Sequence, residues 1–172
     1  MEAQTRIIGI GSGGSSAHVG PGEGRAVRMP QLRLLTRKVG GDQTGGAYAL
    51  FEIAVDPGGG EGPHIQHRED ECLYVVEGRF RFVVEGEEIE AGPGSLVYVP
   101  KGTLHAFQNT GPTAGRMLAI QTPGGAYEDF VEEVGEPAPY ETTTTAKDDR
   151  PEAERLAAVG ALYGVEMVST LP

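Results

Sequence analysis

The fold of this chain is decided by the stretch Gly58-Gly-Gly-Glu-Gly-Pro-His64-Ile-Gln66-His67-Arg-Glu-Asp-Glu71 together with Gly94-Ser-Leu-Val-Tyr-Val-Pro100-Lys-Gly102-Thr-Leu-His105-Ala-Phe-Gln-Asn109. Side chains alternate between the two faces of an extended strand, so His64 and Gln66 are predicted to point one way and His67 the other. Glu71 and His105 each open a further apolar run. The pattern therefore predicts that two imidazoles and a carboxylate from separate strands converge on one divalent cation.

The spacing within these two stretches resembles the two motifs of the cupin superfamily. The matching positions are Gly58, His64, Gln66, Glu71 and Gly78 in the first motif and Gly94, Pro100, Gly102, His105 and Asn109 in the second. One position departs, because Gln66 stands where the family pattern has histidine. The resemblance implies an all-β fold, a small jelly-roll barrel, that holds Fe, Mn, Ni, Co or Zn, usually through three histidines and one glutamate.

The predicted metal ligands are His64, Gln66, Glu71 and His105, and Glu71 is also the predicted catalytic residue. A neutral amide is a weaker ligand than imidazole, so Gln66 either binds the metal, hydrogen-bonds a metal-bound water or stands back. Without Gln66 the set has two histidines and one carboxylate, which leaves positions open for substrate and dioxygen on Fe(II). His67 competes for the vacant role, although strand alternation predicts that it points outward. Glu69 and Asp70, next to Glu71, are expected to be solvated.

Composition narrows the class of partner. Fourteen Lys and Arg against 25 Asp and Glu give the 172-residue chain a net charge of -11, which disfavours binding to nucleic acid and to anionic membranes. The chain contains no apolar run of about 18 residues, which predicts no membrane-spanning helix. A single cysteine, Cys72, excludes an internal disulfide and fits a reducing compartment. These features predict a soluble protein of the cytoplasm.

The chain divides into three predicted parts. Residues 1–30 are rich in Gly and Ser and are expected to form a flexible arm with a short strand near Arg6. Residues 31–122 form the barrel core, in which the odd-numbered residues of 49–55 make one wholly apolar strand face. Residues 73–76 are expected to pair with 79–84 as a hairpin across Glu77-Gly78. Residues 123–172 form a C-terminal helical extension packed on the barrel.

Two helices are predicted within this extension. Tyr127, Phe130, Val131 and Val134 recur at i, i+3, i+4 and i+7, the spacing of one apolar helix face. A polar connector over residues 137–150 precedes a second helix that starts near Pro151 and carries the apolar stripe Leu156, Val159 and Leu162. Both stripes need a surface to cover, which the outside of the barrel provides.

The run from His64 to Glu71 and the two-helix tail resemble small bacterial proteins of the quercetin 2,3-dioxygenase-like group. The resemblance implies a metal-dependent dioxygenase that acts on a small phenolic or enolisable substrate, with Glu71 also accepting a substrate proton. It further implies a homodimer. Two alternatives stay open: a metal-assisted isomerase or lyase on a small polar substrate, and a non-catalytic cupin that binds a small molecule. Fold by itself does not choose among them.

Overall fold

The computed structural model describes residues 6–11, 14–29, 32–139 and 150–169. The elements, in chain order, are β1 Arg6–Gly11, β2 Gly14–His18, β3 Arg25–Arg28, β4 Leu34–Val39, α1 Gly41–Thr44, β5 Ala49–Val55, β6 Gly60–Gln66, β7 Asp70–Glu77, β8 Phe80–Val84, β9 Glu87–Ala91, β10 Leu96–Val99, β11 Leu104–Asn109, β12 Gly115–Thr122, α2 Ala126–Val134, β13 Glu136–Pro137, α3 Arg150–Tyr163 and β14 Val165–Met167. None of the helices in the described ranges is long and apolar enough to cross a membrane.

Two antiparallel sheets build the molecule. The larger has seven strands in the order β10-β7-β12-β5-β4-β3-β13, and the smaller has five in the order β14-β6-β11-β8-β9. Strands β1 and β2 pair only with each other. The two sheets enclose one apolar core, which is the double-sheet arrangement of a jelly roll. This confirms the predicted all-β jelly-roll fold with a short C-terminal helical extension.

The core follows from strand alternation. The wholly apolar face of β5 is the buried one, with Ala49, Phe51, Ile53 and Val55 in the core. From the smaller sheet, Phe80, Phe82 and Phe107 form an aromatic cluster with ring centroids 5.9 to 6.3 Å apart. Burial of each such ring contributes roughly 2 to 3 kcal/mol. The cluster lies beside the strands β6 and β11, which carry the histidines, and so supports them from within.

The predicted hairpin across Glu77-Gly78 is wrong. Strand β7 pairs with β10 and β12 in the larger sheet, whereas β8 pairs with β9 and β11 in the smaller one. The chain passes from one sheet to the other at Gly78, which has a φ of 96° and lies so close to Gly115 that an added Cβ would fall 2.7 Å from its Cα. A glycine turn signal marks the bend, but it does not reveal which sheet receives the next strand.

The C-terminal extension packs against the barrel. Tyr127, Phe130, Val131 and Val134 are buried along α2, which confirms the predicted apolar stripe. On α3, Leu156 and Val159 contact the core, whereas Leu162 is 66% exposed and so lies off the packed face. Strand β14 then pairs with β6. Most of the predicted polar connector, residues 140–149, lies outside the described residues.

The N-terminal region contributes to the sheet. The strand predicted near Arg6 is β1, and β3 pairs with β4 as part of the seven-stranded sheet. Met29 is 4% exposed and belongs to the core. Residues 25–29 therefore lie with the barrel, although the sequence places them in the arm, and the division of the chain into three parts stays a prediction.

Candidate metal centre

Three predicted ligands meet between the two sheets. His64 on β6 and His105 on β11 are paired directly across the smaller sheet, and Glu71 is the second residue of β7 in the larger sheet. Each offers one ligand atom, and the three atoms lie within 4.8 Å of one another. All three residues are at most 3% exposed. Two imidazoles and a carboxylate in such an arrangement match the ligand set of two histidines and one carboxylate that binds Fe(II) and similar ions.

Backbone carbonyl groups orient both imidazole rings. Nδ1 of His64 lies 2.9 Å from the carbonyl oxygen of Gly62, and Nδ1 of His105 lies 2.9 Å from that of Thr103. A carbonyl oxygen only accepts, so each Nδ1 carries the proton and donates it. The unprotonated lone pair of a neutral ring is then on Nε2, which faces the site. The fold thus selects the nitrogen that would bind a metal.

The electrostatics of the site favour deprotonated ligands at His64 and Glu71. Burial and then the charge of His105 lower the pKa of His64 to about 4, so its ring is neutral at physiological pH. Burial acts to raise the pKa of Glu71, but the hydrogen bond and charge of His105 outweigh it and lower that pKa. Burial likewise acts to lower the pKa of His105, and its contact with Glu71, Nε2 to Oε2 at 3.1 Å, raises it. A proton and a cation compete for these same two atoms.

Gln66 lies on the same side of β6 as His64 and is 2% exposed. Its amide nitrogen and its amide oxygen both lack a hydrogen-bond partner among the described residues. His67 is on the surface instead, with Nε2 2.8 Å from Oε2 of Glu166. This confirms the predicted alternation across residues 64 to 67. Whether Gln66 binds a metal stays a prediction.

Gln121 is a site residue that the sequence analysis missed. It follows Met117 and Ala119 on the buried side of β12, and its Nε2 donates a hydrogen bond of 2.5 Å to Oε1 of Glu71. This contact orients the Glu71 carboxylate. A polar residue at the inward positions of an otherwise apolar strand is the signal that would have indicated it.

Glu61 is a second missed residue. Its Oε2 lies 3.7 Å from Nε2 of His64, and the hydroxyl of Tyr127 donates to its Oε1 at 3.1 Å. Burial and then the charge of Glu71 raise the pKa of Glu61 to about 7. The group of mutually close ligand atoms comprises His64, Glu71 and His105 and does not include Glu61. Glu61 therefore lies beside the ligand set and not within it.

A β-bulge explains the position of Glu61. His105 pairs with His64 and Phe107 pairs with Glu61, so three steps along β6 oppose two along β11. The extra residue reverses the alternation between the two positions, and Glu61 comes to the same side as His64. Strict alternation, applied to the sequence alone, places Glu61 on the opposite face.

The expectation that Glu69 is solvated is wrong. Glu69 is 2% exposed, and its Oε1 accepts a hydrogen bond of 3.1 Å from the backbone N–H of Tyr127, in the first turn of α2. Burial of Glu69 raises its pKa. Tyr127 thus contacts Glu69 through its backbone and Glu61 through its hydroxyl, and it connects α2 with the site.

One of the metal donors, His64, borders a cavity of about 360 Å³ between the barrel and the C-terminal extension. His64, Glu61 and Tyr127 contribute its polar wall. Its apolar wall includes residues of β14, of both long helices and of the segment after β3. They are Met29, Phe130, Leu156, Val165 and Met167. A small molecule in this cavity would lie next to the imidazole of His64.

The donor set passes a further test for a metal. Among the described residues, several buried polar atoms at the site have no hydrogen-bond partner: Nε2 of His64, both amide atoms of Gln66, Oε2 of Glu61 and Oε1 of Gln121. Each buried polar atom left in that state costs roughly 1 to 3 kcal/mol. A cation with the oxygen ligands that accompany it would satisfy them, so the residues fit a divalent metal.

The sequence of this chain is similar to parts of several known proteins. Quercetin 2,3-dioxygenase of Bacillus subtilis is 28% identical over 74 residues, 43% of this chain and 21% of that protein. An uncharacterized protein of Streptomyces coelicolor is 36% identical over 78 residues, 45% of this chain and 68% of that protein. Overall the chain spans between 18% and 68% of the length of the curated relatives that it matches.

A solved structure supports the fold. That of a predicted oxalate decarboxylase from Thermotoga maritima superposes with a TM-score of 0.57 at 21% identity, over 62% of this chain and 98% of that one. The sequence model of the cupin domain matches residues 51–121, which run from β5 to β12 and include the three metal donors. The chain belongs to the cupin superfamily.

Proposed function

We propose that this chain is a metal-dependent dioxygenase-like oxidoreductase that acts on a small phenolic or enolisable substrate. The observation that carries the proposal is the convergence of His64, Glu71 and His105, three buried donors within 4.8 Å of one another. The similarity to quercetin 2,3-dioxygenase, which covers 21% of the length of that enzyme, supports the reaction class. The location in the cytoplasm, inferred from composition, stays a prediction.

In this proposal, metal binding and substrate positioning fall to different parts of the site. His64, Glu71 and His105 would hold the metal, with Gln66 as the fourth ligand or as the partner of a water. A bound Fe(II), Mn(II), Ni(II), Co(II) or Zn(II) ion supplies a Lewis acid at which substrate oxygens are held next to each other. The cavity beside His64 positions the substrate, and its apolar walls exclude water.

The proton acceptor has two candidates. Glu71 was predicted, but both of its oxygens are engaged, Oε1 by Gln121 and Oε2 by His105. Glu61 has one oxygen without a hydrogen-bond partner among the described residues. This unengaged oxygen favours Glu61 as the acceptor of a substrate proton, whereas Glu71 would act chiefly as a metal ligand.

The buried carboxyl of Glu61 also supports a second candidate function, a metal-assisted isomerase or lyase. Such reactions take a proton from the substrate or give one to it through a general acid or base beside the metal, and they do not consume dioxygen. The position of Glu61 next to His64 suits this chemistry as well as it suits the activation of a phenol.

Oxygen uptake separates the two functions. The protein, purified without added metal, would first be analysed for its elements and then tested against flavonols and other phenols in an oxygen electrode. Oxygen consumption that needs the metal supports the dioxygenase. Turnover without oxygen supports the isomerase or lyase. Stoichiometric metal with no turnover of any substrate would indicate the non-catalytic cupin and contradict the proposal.

We expect the chain to form a homodimer. Leu96 and Tyr98 lie on β10, at the edge of the larger sheet, and are 57% and 53% exposed, with Tyr74 beside them at 41%. Exposed apolar residues on an edge strand favour pairing with another chain. Light scattering at micromolar concentration should give twice the monomer mass. In Leu96→Lys the mass should fall to that of the monomer. In the control Ile89→Lys, at the edge of the other sheet, it should stay at twice that value. A monomeric mass for the unchanged protein would contradict the expectation.

A further inference from the structure

The cavity beside the metal donors has an apolar lining with one polar side. Its volume is about 360 Å³, within the range of pockets that bind small organic molecules. Met29, Phe130, Leu156, Val165 and Met167 supply aliphatic, thioether and aromatic surface. Such a lining offers the hydrophobic free energy of burial to a molecule with an apolar body.

The charge of the lining disfavours an anion. The described residues that border the cavity include no lysine or arginine, and Glu61 is the acidic residue among them. An anionic ligand, such as a phosphate ester or a carboxylate, needs a cationic partner when it leaves water. The side chains of the lining supply none, and the carboxylate of Glu61 would repel it, so an anion would have to rely on a metal held at His64.

Glu61 offers one directed acceptor. The hydroxyl of Tyr127 donates to Oε1 at 3.1 Å and fixes the orientation of the carboxyl group, while Oε2 is buried and has no hydrogen-bond partner among the described residues. A hydroxyl that donates to Oε2 would lie about 2.5 to 3.0 Å from it. Because Oε2 is 3.7 Å from Nε2 of His64, that hydroxyl oxygen would also be adjacent to the metal donors.

We infer that this cavity selects a neutral, largely apolar molecule and holds it through one hydroxyl group that donates to Oε2 of Glu61. Tyr127 is the positioning residue of this contact. The inference specifies the substrate class of the proposed activity, and in calling the bound molecule a substrate it rests on that proposal. The binding preference itself stands on the cavity and on Glu61.

Three matched probes test the preference. 2-Naphthol is neutral and carries a hydroxyl donor, 2-methoxynaphthalene has the same body without the donor, and 2-naphthoate replaces the hydroxyl with an anion. Dissociation constants would be measured by calorimetry on the full-length protein at pH 8, where 2-naphthol is neutral. A hydrogen bond to a charged group is worth enough for 2-naphthol to bind about tenfold more tightly than either of the others.

Variants assign the preference to Glu61 and to the cavity. In Glu61→Gln the preference for 2-naphthol should fall to about threefold, because a neutral acceptor makes the weaker bond and no longer repels the anion. The control Glu87→Gln alters an exposed glutamate on β9 and should retain the preference. Ala153→Trp should fill the cavity from α3 and weaken 2-naphthol binding at least tenfold, whereas Ala158→Trp, an exposed position elsewhere on α3, should not.

The outcomes distinguish this inference from the proposed function. The inference would be overturned by equal binding of the three probes, by tighter binding of 2-naphthoate, or by an unchanged preference in Glu61→Gln. If Glu61→Gln does not fold, Ala153→Trp still tests the cavity. The same titrations on His105→Ala show whether the preference depends on the metal ligands. A preference for 2-naphthol that survives in His105→Ala would support the cavity and Glu61 as its source, and loss of the preference there would overturn the inference. The proposed metal-dependent activity is tested separately, by oxygen uptake, so the two can fail independently.

Discussion

Replacement of His105 by alanine is expected to abolish stoichiometric metal binding. His105 supplies one of three buried donor atoms, and its Nε2 lies 3.1 Å from Oε2 of Glu71. Alanine removes that donor and leaves only His64, Glu71 and the weaker amide of Gln66. Elemental analysis of the purified proteins should find about one metal ion per chain in the unchanged protein and almost none in the variant, since loss of a ligand costs more than the 10 to 100-fold typical of its supporting contacts.

His67→Ala is the matched control for this loss. His67 lies in the first motif stretch, next to Gln66, but its side chain is at the surface against Glu166. Its removal should leave the metal content unchanged, and circular dichroism should show that both variants fold. Full metal content in His105→Ala would show that the site is assigned to the wrong residues.

Replacement of Gln66 by histidine is expected to raise metal affinity, on the scale of about 10 to 100-fold. Imidazole is a stronger donor than a neutral amide for the transition metals that cupins bind. Gln66 is buried on the side of β6 that carries His64, and neither amide atom has a hydrogen-bond partner among the described residues. The substituted ring would therefore face the donors of the site.

The measurement compares the metal dissociation constants of the two proteins in the same buffer, with Gln108→His as the control. Gln108 is an exposed glutamine on β11. An unchanged or weaker constant in Gln66→His, with the fold intact, would show that residue 66 does not contact the metal. The alternatives for Gln66 would then narrow to a hydrogen bond with a metal-bound water or a position set back from the site.

Where the backbone is regular, the sequence predicts the site well. The interval from His64 to His67 covers the regular end of β6, beyond its bulge, and the residue after it. Side-chain alternation alone therefore separates the buried His64 and Gln66 from the exposed His67. The same alternation groups the four apolar residues of β5 that the structure buries on one face. Period-two alternation is a local property, and it needs no knowledge of neighbouring strands.

Contacts that depend on tertiary structure could not be predicted from the sequence. The bulge between Glu61 and His64 depends on how β6 pairs with β11, and a stretch of Gly and Pro residues does not reveal it. Glu69 is buried because α2 begins against it, 58 residues further along the chain. The change of sheet at Gly78 likewise depends on long-range pairing. These contacts complete the site, and none of them is local.

The pairing of β14 with β6 determines which side chains reach the site. Val165 pairs with Gln66 and Met167 pairs with His64, so the C-terminal strand covers the otherwise open edge of the strand that carries these donors. A slip of one residue along β6 would exchange the faces, turning His64 and Gln66 outward and Ile65 and His67 inward. With partners on both edges, from β11 and from β14, such a slip must break two ladders at once. Strand β14 thereby stabilises the pairing register of the strand that carries the metal donors.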